Sequence, residues 1–136
     1  MKAISIREPW AGAIADGRKT IEIRSWRTYH TGPLLICSTA PDSSALCVVT
    51  IANILRMRPC DEATSFCPLH AGALAWHLTR PCPVKRFRVA GRQGLFEVPD
   101  ALIHPRLPSS QSPADFHPAI RQWLIQHAID TNFRAR

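Results

Sequence analysis

Two cations and a carboxylate stand close together at Lys19, Glu22 and Arg24. Arg24 can grip a carboxylate or phosphate through two parallel hydrogen bonds. Glu22 can hold both bases in place or take a proton from a substrate. Lys19 beside it can donate a proton or stabilise a developing oxyanion. These three are the candidate catalytic residues. Arg7, Trp10, Trp26, Arg27, Tyr29 and Arg92 are the candidates for nucleic-acid contact. The arginines would pair with phosphates, and the rings would stack on an unpaired base. The bland alternative is a structural ion pair of Glu22 with Arg24, solvated arginines, and Trp10 in the core on its spacing with Ile14.

The elements that must position these residues are short. Ile4 and Ile6 alternate with Ser5 and Arg7, which predicts a strand. Pro9 suits the first position of a helix, and Trp10, Ala13 and Ile14 follow at offsets that give one buried face. Gly17 suits the left-handed turn that ends a helix. Ile21 and Ile23 then alternate with Thr20, Glu22 and Arg24 as a second strand, apolar on one face and charged on the other. Strand, helix and strand so deliver Lys19, Glu22 and Arg24 to one place.

The same residues carry a family likeness. Ser5-Ile6, Pro9-Trp10, Gly17, Lys19, Glu22, Arg24-Ser25-Trp26 and Gly32-Pro33-Leu34-Leu35-Ile36 resemble the ASCH domain of the PUA-like superfamily. Ala75-Trp76-His77-Leu78 and the stretch from Gly91 to Val98 fit it too, so the resemblance spans Met1 to Val98. It implies a pseudo-barrel of mixed strands with helices closing its ends, and a role in RNA binding. Some small bacterial members look like ribonucleases acting on single-stranded RNA without a metal. Others are amidohydrolases of N4-acetylcytidine, whose motif sets a nucleophilic threonine three residues after the lysine. Here Lys19 matches, but Glu22 occupies the nucleophile position, and a glutamate cannot replace a hydroxyl in forming an acyl intermediate. Activation of water by Glu22, or use of Thr20 on the same face, are the routes left to that chemistry. A protein-interaction domain in RNA processing or transcription regulation is the third alternative.

Composition agrees with a polyanionic partner. Seventeen basic residues against ten acidic give a net charge of +7, a balance that favours nucleic acid. Single-stranded RNA is the expected partner, with no cofactor and no metal. The five cysteines are odd in number and irregularly spaced, unlike a secreted disulfide framework. Cys60, Cys67, His70, His77 and Cys82 form no C-x-x-C pair of the kind zinc sites use. No run has the length of a membrane span and no secretory start is apparent, so a cytoplasmic location is expected.

The fold class expected is mainly β with α, an α+β PUA-like mixed β-barrel with short helices at its ends and a C-terminal helix. Strands are predicted at Leu34–Ser38, Ala45–Leu55, Ala73–Leu78, Val84–Val89 and Leu95–Val98, and Asp61 as the cap of a short helix from Glu62. Residues 1–98 form the barrel core and 99–115 a Pro/Ser-rich loop. Residues 116–131 form a helix on Phe116, Ile120, Trp123, Leu124 and Ala128. That helix packs on its own domain or on a partner subunit, which leaves a homodimer open. The tail from Asn132 to Arg136 is expected to fray.

Overall fold

Strands β3 (Leu34–Ser38) and β4 (Ala45–Val49) have no solvent-facing side, and the rest of the chain is layered on their two faces. Leu35, Cys37 and Val48 point one way, into a cluster with Phe116, Ile120 and Leu124. Leu34, Ile36, Cys47 and Val49 point the other way, against Ile4, Ile6, Ile14 and the fully buried Trp76. This is strand alternation with both faces covered, which is why these segments read as continuous apolar runs. The computed structural model describes residues 1–135, with side chains through Thr131.

One sheet has the order β7 (Cys82–Pro83), β4, β3, β1 (Lys2–Ile6), β8 (Leu95–Glu97). In it β1 runs parallel to β3, and the other neighbours are antiparallel. The second sheet is antiparallel, in the order β2 (Ile21–Arg24), β6 (Leu74–Leu78), β5 (Ile51–Arg56). Each sheet keeps two free edges. The fold is therefore a mixed α+β arrangement of two sheets and a few helices, and the sheets are not closed into the expected barrel.

The reason lies at Thr50. The single strand expected over Ala45–Leu55 breaks there, and β4 and β5 enter different sheets. The Thr50 N–H donates to Thr79 Oγ1 at 3.0 Å, and the Thr79 N–H returns to the Thr50 carbonyl at 3.0 Å. Local bonding replaces the ladder at the crossing point. The strand expected at Val84–Val89 is also absent. Its backbone divides between partners, Lys85 N–H to His104 O and Val89 N–H to Ser43 O, so only isolated bridges form.

Helix α1 (Trp10–Ala15) begins one residue after Pro9, rather than at it, and buries Ala11, Ala13 and Ile14. Gly17 follows its end with φ +80°, as a helix stop requires. Asp61 does not cap α2 (Glu62–Ser65) through its side chain. It accepts the Arg58 N–H at 2.9 Å and closes the 3₁₀ turn Pro59–Asp61 instead. Helix α3 (Pro118–Ala135) sets Ile120 and Leu124 into the first cluster, with Pro118 in its first turn. The backbone of the tail is helical through Ala135, and Arg136 lies outside the described residues. No helix among them is long and apolar enough to cross a membrane.

Candidate functional site

The loop between α1 and β2 drops Lys19 into the interior. Its side chain is 3% exposed, and three acceptors surround the ammonium. Two are the carbonyl oxygens of Ile21, at 2.7 Å, and Ser65, and the third is Glu22 Oε1 at 3.3 Å. Three acceptors use all three protons of an ammonium group. Burial pulls the Lys19 pKa below its usual value, and the Glu22 carboxylate offsets part of that pull. Lys19 thus ties three segments together: its own loop, β2 and the end of α2.

Glu22 and Arg24 project from the same face of β2, two residues apart. Glu22 Oε2 accepts from Arg24 Nη2 at 3.0 Å, so the carboxylate is clamped between two cations. Arg24 Nη2 also reaches the Ser5 carbonyl at 3.2 Å, linking the second sheet to β1. This network forms the floor of an open cleft of about 1000 Å³. Ser5, Arg7, Trp10, Trp26, Phe66, Cys67 and the Arg92–Gly94 turn also line it.

Of the nine candidate residues, seven meet in this cleft: Lys19, Glu22, Arg24, Arg7, Trp10, Trp26 and Arg92. Arg27 and Tyr29 do not line it; both are exposed, Tyr29 at 90%. The chain turns away after Trp26, whose carbonyl is held by Trp76 Nε1–H at 3.2 Å. Trp10 is no core residue. It is 39% exposed and meets Phe66 edge to face at 5.9 Å between ring centres, at the cleft mouth. With six residues α1 buries only its middle, and its first residue overhangs. Trp26 stands edge-on to Trp76 at 4.8 Å, half in the core and half in the cleft. Thr20, which strand alternation sets on Glu22's face, lines instead a neighbouring cleft of about 420 Å³.

Among the lining residues that the sequence did not single out is Phe66. Phe66 ends α2 in the left-handed region at φ +58°, a costly conformation for a bulky residue. Nothing in Ser65-Phe66-Cys67-Pro68 announces it, since glycine or asparagine is the usual signal there. All five cysteines are free. Burial pushes the Cys37 and Cys82 thiols up to about 12, so both are inert core groups. Among the described residues no group of three or more His, Cys, Asp or Glu is arranged to hold a metal ion.

Charge decides what the cleft attracts. Lys19, Arg24, Arg7 and Arg92 set four cations against the one carboxylate of Glu22, an excess of +3. Neither Arg7 nor Arg92 is in an ion pair among the described residues. The Trp10 and Phe66 rings meet at 70° beside these charges, so cationic groups and exposed aromatic surface share one cleft.

A two-sheet α+β domain with a linked Lys–Glu–Arg network in its cleft, the lysine and glutamate buried, is the class that this geometry defines. The chain belongs to the ASCH domain family, whose model matches residues 4–104. Solved structures of the ASCH protein from Zymomonas mobilis are similar to it. The unmutated protein is 19% identical with a TM-score of 0.57, over 74% of this chain and 88% of that one. A serine-to-alanine mutant is 17% identical with a TM-score of 0.61, over 75% and 95% of the two chains. A tyrosine-to-phenylalanine mutant is 18% identical with a TM-score of 0.59, over 73% and 90%. At that identity the likeness speaks for the fold alone. No curated protein matches the chain.

Proposed function

We propose that the cleft binds single-stranded RNA. The observation that carries this reading is the pairing of four cations and one carboxylate with the Trp10–Phe66 corner in a single cleft. A phosphate chain crossing the mouth meets Arg7 and Arg92, while an unstacked base lies against the exposed rings. Membership of the ASCH family and the net charge of +7 agree with it. Titration of a labelled single-stranded RNA by fluorescence anisotropy tests it. Affinity should fall steeply as salt rises, because bound arginines release counterions from the phosphates. Binding that is absent at low salt, or insensitive to salt, would overturn the reading.

Cleavage of that RNA without a metal is the second reading, and the burial of Lys19 and Glu22 beneath an open cleft favours it. In this scheme Glu22 takes the proton of a 2′-hydroxyl, and the freed oxygen bonds to the adjacent phosphorus. The bond from phosphorus to the 5′-oxygen breaks, leaving a 2′,3′-cyclic phosphate and a 5′-hydroxyl that draws its proton from water in the open cleft. Lys19 and Arg24 stabilise the charge that develops on the phosphate. End-labelled RNA incubated in EDTA and run on a denaturing gel tests it: cleavage supports the scheme, and intact RNA beside normal binding removes it. The amidohydrolase alternative has weaker support, because Thr20 lines the other cleft.

A further inference from the structure

Two imidazoles meet outside the cleft. His104 Nδ1 and His127 Nε2 lie 3.1 Å apart, although the residues are 23 positions apart in the chain. Each ring is brought there by a well-anchored segment. Ile103, before His104, is fully buried, the His104 carbonyl accepts the Lys85 N–H at 2.8 Å, and Pro105 bridges to Val84. His127 stands on α3 one turn beyond Trp123, whose ring lies 6.1 Å from its own, and beyond the buried Leu124. The two imidazoles meet at 73°. With Asp100 and Asp130 they line a pocket of about 140 Å³. Between neutral rings this contact takes one proton, donated by one nitrogen and accepted by the other.

The geometry points to a binding site for one divalent transition-metal ion, with His104 Nδ1 and His127 Nε2 as its two side-chain ligands. Imidazole nitrogens bind zinc at about 2.0–2.1 Å. At that length two nitrogens 3.1 Å apart subtend about 100° at the ion, between the octahedral and tetrahedral angles. The ion takes the place of the shared proton. That proton passes to the other nitrogen of its own ring, so both facing nitrogens bind through lone pairs. Water fills the remaining positions, since no group of three or more His, Cys, Asp or Glu converges among the described residues. Asp100 and Asp130 add negative charge to the pocket wall, which favours a cation. Imidazole ligands suit zinc, nickel and copper, whereas magnesium and calcium prefer oxygen. Bound there, the ion joins the loop at His104 to α3 and holds the helix on its sheet.

Zinc chloride alone is titrated into the full chain by isothermal calorimetry, in a buffer that does not bind metal. One ion per chain should bind. Losing a residue that only orients a metal ligand costs about ten- to a hundredfold, so His104→Ala and His127→Ala should each weaken binding about tenfold or more. Thermal midpoints measured without zinc check that both variants fold. Nickel followed by NMR gives a reading on the wild type itself: of the six histidines, the ring signals of His104 and His127 should broaden first. No binding of zinc, or full affinity kept by both variants, would overturn the site. The second result would move the ion elsewhere, and Cys67 Sγ with His70 Nδ1, 3.9 Å apart, is the next pair to try. Broadening led by other histidines would overturn it as well.

Discussion

Lys19 is a bracket before it is a reagent. Its protons satisfy two backbone carbonyls and a carboxylate that is 10% exposed, so its removal strands all three. Breaking a buried pair on one side costs about 3–5 kcal/mol, most of it from the charge left behind. Lys19→Met should therefore lower the urea-unfolding stability by about 3 kcal/mol or more; a loss under about 1 kcal/mol would mean that the pair contributes little. Loss of any activity in a Lys19 variant carries meaning only beside a proof that the variant folds. At this scale the sequence was legible for Lys19, Glu22 and Arg24, because spacing along one strand fixes which side chains share a face. It misled at Trp10, whose helical spacing with Ile14 predicts burial. Burial depends on what lies opposite, and opposite Trp10 is Phe66 at an open mouth. Phe66 was illegible, since a left-handed helix end on a phenylalanine arises only in the folded chain.

The element that decides the architecture is the short crossing at Thr50. Thr79→Val keeps shape but leaves the Thr50 N–H without its acceptor, so unfolding in urea should show a loss of about 1–3 kcal/mol. An unchanged midpoint would mean that water replaces the hydroxyl. The β-branched run from Ala45 to Leu55 hid this crossing, because two consecutive strands in different sheets have the same local pattern as one long strand. The turn before α2 offers a pH test. The Arg58 N–H bonded to Asp61 is the main cause holding the Asp61 carboxyl below its ordinary value of 3.8. A depressed folded pKa means that the native state binds this proton less readily than the unfolded chain. The stabilisation is then complete above about 3.8 and is lost as pH falls through the folded value. Asp61→Asn should be less stable than wild type at neutral pH, with the gap shrinking as pH falls below 4. A gap that stays constant across that range would contradict the assignment.

At the scale of the whole molecule, α3 covers the far face of the five-stranded sheet and the cleft opens elsewhere. Ile120, fully buried between α3 and the sheet, should cost about 2–4 kcal/mol when cut to alanine, read from denaturant unfolding. RNA affinity per folded molecule should stay at the wild-type level. The helix itself was readable from its apolar spacing, whereas its seat on the first cluster was not, because a periodic stripe names no partner. Net charge likewise predicts a polyanion without choosing a face. That choice is the central claim, and a comparison of two arginine pairs tests it most directly. Single-stranded RNA is titrated into wild type, into Arg7→Ala with Arg92→Ala at the cleft, and into Arg106→Ala with Arg121→Ala, exposed positions that do not line it. The cleft pair should lose about tenfold or more in affinity and about two units of salt slope, with the other pair close to wild type. Equal losses in both pairs, or a larger loss outside the cleft, would contradict the account.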